Sequence, residues 1–395
     1  KDKTKHEITI KEENCRRTEA QDQTIMAHDG PVYAFVAEWF DPMPQLTKQY
    51  LLRYYPDTHE VDMVDGKSRR LFLKKSKVPT TILPQEFFVG SRMVLYSRNL
   101  NLVDYGDEKT RKIMSEREVK SVVILTPDAY EHFGKLLDVF LQEGLTLGKL
   151  KMFKLGGGEA GEVAGLLAGA LPDGCDPRAF QAHLASNVGV AAVLLGENAV
   201  GRGRDLAADL RVRYGGGGDR VAVLAAEDGG SVAALADYFF GAGSRLASTA
   251  TFDSCTACVV RPHAVARGLT GRVLDDVLAQ GYEVSALEMF TLERPQAEEF
   301  LEVYKGVLPE WADAVDQLCA GACVAMEVRA EDPVATFRQT AGPWDVEMAR
   351  DLRPATLRAK YGEDRVRNAV HCTDLPEDGV PECQYFFDLL QRQQI

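Results

Sequence analysis

An internal repeat constrains the fold of this chain more strongly than any other feature of its sequence. Residues 210–215, Leu-Arg-Val-Arg-Tyr-Gly, return as Leu-Arg-Ala-Lys-Tyr-Gly at 357–362, and Tyr-Phe-Phe occurs at both 238–240 and 385–387. The members of each pair are 147 residues apart, so the residues between them can be aligned without gaps. We therefore predict that the C-terminal two thirds of the chain contain two copies of one folding unit.

The two copies, at residues 119–240 and 254–390, begin in the same way. Each opens with an apolar strand that ends at a proline. A helix follows, over 135–142 in the first copy and 271–280 in the second, and a glycine caps it before a second strand. This order predicts a split βαβ, ferredoxin-like unit. Two such units can pair with each other inside one chain.

Three polar residues of the second copy align with apolar residues of the first at the same offset. The aligned pairs are Asn368 with Val221, His371 with Leu224, and Glu382 with Leu235. An imidazole nitrogen can act as a nucleophile, whereas a leucine side chain has no atom that can. We therefore predict that any histidine chemistry belongs to the second copy, and that the first copy has a structural role.

The residues ahead of the repeat divide into two parts. Residues 1–30 are polar and charged without periodicity, which predicts a flexible arm. Residues 31–115 contain about six strand-like segments, with a hairpin turn signal at Asp65-Gly66. This pattern predicts a short twisted barrel or sandwich. The fold class expected for the whole chain is α+β, with several domains.

The segment Asn-Ala-Val-His-Cys-Thr-Asp at 368–374 resembles the active-site segment of nucleoside diphosphate kinases, Asn-x-x-His-Gly-Ser-Asp. The resemblance implies the ferredoxin-like αβ fold of that family for both copies. It also implies transfer of the terminal phosphate of a nucleoside triphosphate to a diphosphate through phospho-His371. In this view Glu382 orients the ring, Thr373 replaces the usual serine, and Asn368 contacts a sugar hydroxyl.

The same resemblance implies a nucleotide site around the histidine. Its expected residues are Arg261, Tyr304, Trp311, Arg338, Thr356, Arg358 and Asn368. Arg338 and Arg358 match phosphate-binding arginines, although arginines on an acidic domain can also be solvated helix surface. Trp311 is either the base-stacking aromatic or a core residue. The expected ligand is ATP, GTP or a diphosphate with Mg²⁺, and no metal site formed by the protein alone is expected.

Three residues depart from the family pattern. Arg261 replaces the lysine of Ile-Lys-Pro-Asp, and His263 replaces the aspartate of that motif. Cys372 replaces the glycine after the active-site histidine. Arginine keeps a permanent positive charge, but its planar fork changes the phosphate geometry. We therefore expect nucleotide binding with weak or absent transfer. His263 is either a loop or capping histidine, or a second catalytic group.

The β-rich region is similar to DM10 domains, which are pleckstrin-homology-like β-modules of ciliary axoneme proteins. The similarity rests on Tyr-Tyr-Pro-Asp at 54–57, Phe-Leu-Lys-Lys at 72–75, and Leu-Val-Asp-Tyr-Gly-Asp-Glu-x-Thr-Arg-Lys at 102–112. The region also contains a basic run, formed by Lys67, Arg69, Arg70, Lys74, Lys75 and Lys77. This run is either a solvated hairpin or a contact for an acidic partner such as tubulin.

The order of the domains is similar to that of a nucleoside diphosphate kinase branch found in cilia and flagella. The resemblance implies a place in the axoneme, part of the cytoplasmic cytoskeleton, in contact with tubulin and other proteins of the doublet microtubules. Two functions are expected as alternatives. One is a structural axonemal protein that binds nucleotide in the second copy with weak or absent transfer. The other is an active kinase tethered to the axoneme.

The composition argues against several other classes. A net charge of −13 argues against nucleic-acid binding, and no apolar run approaches the ~18 residues of a membrane span. Cys255-x-x-Cys258 is either part of a zinc site or, because no histidine has ligand spacing, a pair of reduced cytosolic thiols. Gly156-x-Gly158-x-x-Gly161 matches a dinucleotide fingerprint, but its alanine- and glycine-rich surroundings favour a chance match.

Overall fold

The computed structural model describes most of the chain after the N-terminal segment. The described residues are 30–41, 46–79, 82, 84–89, 91–96, 98–116, 120–216, 220–241, 243, 244 and 246–394. The predicted flexible arm lies outside them, except for Gly30. Within the described ranges, no helix is long and apolar enough to cross a membrane.

The N-terminal part is a curled antiparallel sheet of six strands in the order β4-β3-β2-β1-β6-β5. The strands are β1 (Tyr33–Asp41), β2 (Leu46–Tyr55), β3 (Glu60–Asp65), β4 (Leu71–Lys77), β5 (Arg92–Leu95) and β6 (Arg98–Tyr105), followed by helix α1 (Glu108–Glu116). Tyr54 stacks on Phe87 inside its core, with ring centroids 3.8 Å apart. The structure confirms the predicted β-rich module.

The rest of the chain shares one eight-stranded sheet in the order β10-β7-β9-β8-β12-β13-β11-β14. Its strands are β7 (Lys120–Leu125), β8 (Thr146–Lys154), β9 (Val188–Leu195), β10 (Val223–Ala225), β11 (Cys255–Val260), β12 (Glu283–Thr291), β13 (Ala322–Arg329) and β14 (Val370–Cys372). The two halves of the sheet mirror each other in strand order. The αβ region is thus ferredoxin-like, as predicted.

Helices connect these strands in a matching order. The first half contains α2 (Phe133–Gln142), α3 (Gly157–Leu166), α4 (Pro177–Leu184), α5 (Ala199–Tyr214) and α6 (Gly229–Phe240). The second contains α7 (Pro262–Ala266), α8 (Thr270–Ala279), α9 (Arg294–Phe300), α10 (Trp311–Leu318), α11 (Pro333–Ala341), α12 (Val346–Leu352), α13 (Leu357–Tyr361), α14 (Gly379–Gln384), a π-helical turn (Tyr385–Leu390) and α15 (Gln391–Gln394). Proline opens α4, α7 and α11, where its fixed φ suits the first helical turn and no backbone N–H is needed.

The structure places the aligned segments of the repeat at equivalent edges of the sheet. Leu224 of β10 faces Ile124 of β7, and His371 of β14 faces Val259 of β11. The two edge strands, 223–225 and 370–372, are 147 residues apart, which is the offset found in the sequence. The edge that carries His371 in the second half therefore carries a leucine in the first.

The two halves meet at strands β8 and β12 and at helices α2 and α8. A Cβ atom at Gly134 would collide with the backbone of Asp275, and one at Gly271 would collide with the backbone of Asp138. Both Gly134 and Gly271, and Asp138 and Asp275, are 137 residues apart. The contacts are therefore reciprocal, as across a two-fold axis. One apolar core runs beneath both halves.

Candidate active site

His371 lies in the middle of β14, the edge strand of the second half, and its ring is 1% exposed. Its Nε2 is 2.8 Å from Oε2 of Glu382, which α14 presents to the strand. Because a carboxylate only accepts hydrogen bonds, this contact assigns the proton of the neutral imidazole to Nε2. The other nitrogen, Nδ1, then has a free lone pair.

Glu382 is held in turn by Thr373. The hydroxyl of Thr373 donates to Oε2 of Glu382 over 2.9 Å and accepts from the backbone N–H of Ala257 over 3.1 Å. All three polar side chains in this chain of contacts are buried. The structure therefore brings together the three residues predicted to be catalytic, and the hydrogen bonds fix the orientation of the His371 ring.

An aromatic cover lies against the imidazole. The rings of Phe300 and Tyr304 meet it edge-on, with centroids 4.9 and 5.9 Å from its centroid. Nδ1 of His371 is buried and has no hydrogen-bond partner among the described residues. Burial, followed by the nearby carboxylates of Glu382 and Asp374, raises the pKa of Tyr304 well above its usual range. The Tyr304 phenol therefore remains neutral next to the histidine.

Arg358 on α13 donates three hydrogen bonds to the protein. Its Nε donates to the carbonyl of Val370 over 3.1 Å, and its Nη1 donates to the carbonyl of Gly342 over 2.8 Å. Its Nη2 lies 3.6 Å from Sγ of Cys372, so the residue that replaces the family glycine serves as an acceptor for this arginine. These contacts hold Arg358 against Val370 and Cys372, the two neighbours of His371 in β14.

Arg261 occupies the N-cap position of α7 and is 1% exposed. Its Nη1 donates weakly to the carbonyl of Val366 over 3.4 Å, but its Nε and Nη2 are buried without a hydrogen-bond partner among the described residues. Burial, followed by the like charge of Arg358, lowers its pKa to about 9. A buried guanidinium with unused N–H groups beside a second guanidinium is a strong attractor for an anion.

Trp344 is a component of the site that the sequence analysis did not identify. Both guanidiniums lie over its ring, with the centroid 5.0 Å from Cζ of Arg261 and 5.2 Å from Cζ of Arg358. Its Nε1 is buried without a partner in the described part of the chain. The only sequence signal was its position in the insert between Arg338 and Arg358.

The loop before the histidine is held by Trp344 and His263. Nδ2 of Asn368 donates to the carbonyl of Trp344 over 3.3 Å, and the backbone N–H of Ala369 donates to Nε2 of His263 over 3.3 Å. Ala369 has a left-handed φ of 69°, which this contact supports. His263 therefore supports the loop before His371, and it forms no hydrogen bond with Nδ1 of His371.

A cavity of about 540 Å³ opens in front of these residues. The predicted residues Tyr304, Arg338 and Arg358 line it, together with Trp344 and Asp374. Nε of Arg338 lies 3.1 Å from Oδ1 of Asp374, and its side chain is half-exposed. Neither Arg261 nor His371 is among the described lining residues, and both are buried.

Three other predicted binding residues, Asn368, Trp311 and Thr356, lie outside this lining. Nε1 of Trp311 donates to the carbonyl of Leu301 over 2.7 Å, and its ring packs on an apolar core. Thr356 precedes α13, and its hydroxyl donates to the carbonyl of Arg353 over 2.8 Å. A Cβ at Gly342 would collide with the Thr356 side chain, so Thr356 packs closely under the loop that carries Trp344.

The donor set of the cavity fits a metal ion that arrives with phosphate ligands. Asp374 supplies the one carboxylate among its described lining residues. Mg²⁺ in nucleotide sites is held mainly by phosphate oxygens and water, with one or two carboxylates.

Cys255 and Cys258 lie on opposite faces of β11, in different cores, so Cys-x-x-Cys does not form a chelating pair. Cys255 lies instead near Glu327 and Cys383, but the Glu327 carboxylate already accepts from Thr251, Phe252 and Ser285.

The glycine-rich segment of the first half also has an ordinary structural explanation. It joins β8 to α3, and the backbone N–H of Gly156 donates to Oε2 of Glu159 over 2.7 Å. The helix start is thus capped by its own side chain. The surrounding sheet is antiparallel, whereas a dinucleotide fingerprint requires a parallel βαβ unit.

Comparison with known proteins places this chain among phosphotransfer enzymes and their relatives. Residues 254–391 match the family model for nucleoside diphosphate kinase. The chain also resembles the nucleoside diphosphate kinase of Aquifex aeolicus, with 33% identity over 136 residues that cover 34% of this chain and 95% of the relative. A crystal structure of that enzyme aligns with 35% of this chain and 96% of its own, at 33% identity and a TM-score of 0.33.

Two relatives match almost the whole chain. Nucleoside diphosphate kinase homolog 7 of Mus musculus is 38% identical over 377 residues, which cover 91% of this chain and 93% of the relative. The homolog 7 protein of Rattus norvegicus is 37% identical over the same coverage. The chain therefore belongs to the nucleoside diphosphate kinase family, in the group named homolog 7.

Proposed function

We propose that the second half binds nucleoside di- and triphosphates in the cavity in front of His371. The observation that carries this proposal is a histidine whose Nε2 proton is held by Glu382, beside a cavity lined by Arg338 and Arg358. Arginine forks suit phosphate oxygens, and a buried site strengthens that attraction. Mg²⁺ enters with the nucleotide, and Asp374 is the carboxylate that can face it.

The same residues can carry phosphoryl transfer. The lone pair on Nδ1 of His371 attacks the terminal phosphorus of a nucleoside triphosphate, and a nitrogen–phosphorus bond forms. The bond from that phosphorus to the bridging oxygen breaks, and the diphosphate leaves with its electron pair. Nε2 keeps its proton, and Glu382 stabilises the positive charge of the ring. A second diphosphate then takes the phosphate from the ring. An active kinase is therefore the alternative function, favoured by this intact triad of side chains.

Weak or absent transfer is the outcome that we favour for the resting protein. Arg261, at the position of the family lysine, lies buried behind Trp344 rather than in the cavity wall. The Nδ1 atom of His371 is also buried. A triphosphate in the cavity would therefore reach Arg338 and Arg358 before it reached the nucleophile. Binding without rapid chemistry suits a protein whose main role is structural.

We further propose that the protein is a structural component of axonemal doublet microtubules in cilia or flagella. Support comes from the basic run on and around β4, the edge strand of the N-terminal sheet, in which every member is exposed. Lys75 and Lys77 pair with Glu60, at 3.5 and 3.6 Å. The other four, Lys67, Arg69, Arg70 and Lys74, form no ion pair with a described residue and can face the acidic surface of tubulin.

Labelling with γ-labelled ATP tests the enzymatic part of this proposal. We expect slow formation of an acid-labile phosphate that is absent in His371→Ala. ADP binding by equilibrium dialysis should persist in that variant, because the arginines that hold the phosphates remain. Turnover near that of a compact family member would contradict a mainly structural role, and absence of ADP binding would contradict the nucleotide site.

Co-sedimentation with doublet microtubules tests the structural part. Replacing Lys67, Arg69, Arg70 and Lys74 by glutamate should weaken binding, with a smaller effect at high salt. The matched control carries the same charge change at the exposed residues Lys154, Arg178, Arg213 and Arg220 of the first half. Equal loss in both variants would show that only net charge matters, and unchanged binding in both would place the contact elsewhere.

A further inference from the structure

Trp344 is in cation–π contact with both buried arginines of the site. Its ring centroid lies 5.0 Å from Arg261 and 5.2 Å from Arg358, measured to each Cζ. An aromatic face attracts a guanidinium through its quadrupole, so one indole partly offsets the repulsion between two like charges. Phosphate oxygens would offset that repulsion more strongly, because they carry full negative charge.

The groups left without partners behind Trp344 match those that a phosphate would use. Nε and Nη2 of Arg261 and Nδ1 of His371 are buried without a hydrogen-bond partner among the described residues. The cavity wall on this side is formed by Trp344 and Tyr304, whose ring centroids are 6.3 Å apart. Two donors and one nucleophile are thus separated from the cavity by two aromatic side chains.

The loop that carries Trp344 is positioned by a glycine turn and by a hydrogen bond from Asn368. Gly342 has a φ of 87°, a conformation that favours glycine, and Pro343 follows it directly. The carbonyl of Trp344 accepts from Nδ2 of Asn368, the residue three positions before His371. Movement of Trp344 would therefore expose Arg261 and release Asn368 together.

We propose that Trp344 is a lid that a nucleotide's phosphates must displace from Arg261 and Arg358 before His371 can be phosphorylated. This inference rests on the proposed nucleotide site. In the closed state Trp344 competes with phosphate for the two guanidiniums. In the open state a terminal phosphate takes its place, and the fork of Arg261 can hydrogen-bond that phosphate while Nδ1 attacks it.

Tryptophan fluorescence tests whether the lid moves. Binding of ADP should change the emission of the wild-type protein, and Trp344→Phe should abolish that change. Trp39→Phe is the matched control, because Trp39 also lies over two cations, Lys48 and Arg98, but in the N-terminal sheet. The change should persist in this control. ADP that binds in dialysis without altering the Trp344 emission would overturn the lid.

Phosphoramidate, a small donor without a nucleotide, tests access to the histidine separately. The Nδ1 lone pair forms the bond to phosphorus, the phosphorus–nitrogen bond of the donor breaks, and ammonia leaves after taking up a proton from water. We expect Trp344→Ala to label His371 at least about tenfold faster than the wild type or Trp39→Ala. If the wild type, Trp344→Ala and Trp39→Ala are labelled at equal rates, or if none of them is labelled, Trp344 is not the barrier and the lid is overturned. Absence of ADP binding together with faster labelling would instead reject the nucleotide site and retain the lid.

Discussion

Lys151 and Glu288 lie directly opposite each other at the centre of the eight-stranded sheet, with Nζ and Oε1 3.6 Å apart. They are 137 residues apart in the sequence, as Gly134 and Gly271 are, so each is the counterpart of the other in the repeat. In a symmetric dimer of one copy, identical residues would meet at this position. Two lysines or two glutamates there would repel each other. The charge difference therefore favours pairing of unlike copies within one chain.

Like charges at positions 151 and 288, where β8 meets β12, should destabilise the protein. Lys151→Glu or Glu288→Lys should each lower the free energy of unfolding by about 3–5 kcal/mol, because both side chains are largely buried. The exchanged pair, Lys151→Glu with Glu288→Lys, should recover most of that loss in urea unfolding. Lys135→Glu is the control, since Lys135 and Asp275 form a more exposed pair 4.0 Å apart, and it should cost about 1 kcal/mol or less. If the exchanged pair recovers nothing, the two charges do not interact as proposed.

Helix α2 and helix α8 approach each other too closely for any side chain at their glycines. Gly134→Ala or Gly271→Ala should lower the free energy of unfolding by about 1–3 kcal/mol or more, because the added methyl meets backbone atoms of the other helix. Gly157→Ala at the exposed start of α3 is the matched control, since its Cβ would meet nothing within 4 Å. The control should be neutral or slightly stabilising in thermal unfolding. Similar losses at all three positions would show that the close approach of the two helices is not their cause.

Much of this architecture could be predicted from the repeat. The helices expected at 135–142 and 271–280 are observed at Phe133–Gln142 and Thr270–Ala279, and the edge strands keep the sequence offset. The site around His371 was predictable because its residues lie close together in sequence and match a family segment. Trp344 was not, because its role depends on Arg261, which is 83 residues away in the sequence and approaches it only in the fold. The pairing of Lys151 with Glu288 likewise depends on a strand register that no local pattern specifies.

The buried neutral state of His263 should make stability depend on pH. Burial first, and then the charges of Arg261, Arg367 and Arg267, lower its pKa to about 3, against about 6.5 in an unfolded chain. Below pH 6.5 the unfolded chain takes up a proton that the folded protein excludes. This contribution to stability is therefore complete above pH 6.5 and is lost progressively as the pH falls towards 3, with a slope approaching about 1.4 kcal/mol per pH unit. His263→Gln keeps an acceptor for the N–H of Ala369, and it should flatten this slope in urea unfolding between pH 7 and 5. An unchanged slope would assign the pH dependence to other groups.

Removal of the Glu382 carboxylate should act on the tautomer of His371. In Glu382→Gln the amide can donate to Nε2, which would move the ring proton to Nδ1 and block the nucleophile. We expect phosphohistidine formation to fall by about 10²-fold or more. Nitrogen NMR of the His371 ring gives a readout that a purely structural role would not change, because it reports the tautomer without turnover. A ring that keeps its Nε2 proton in the variant would contradict the assigned role.

The two buried arginines should respond in opposite ways to replacement by lysine. Among the described residues, the Arg261 side chain has one weak hydrogen-bond partner, and it contacts the Trp344 ring. Arg261→Lys therefore removes little and supplies a compact charge on a flexible stem. We expect it to form phosphohistidine from γ-labelled ATP at least about tenfold faster than the wild type. Arg358 holds Val370, Gly342 and Cys372 through three N–H groups, and Arg358→Lys should lower both the labelling rate and the free energy of unfolding. If Arg261→Lys is no faster while ADP binds equally well, the guanidinium at this position does not limit transfer, and the Trp344 lid becomes the remaining barrier.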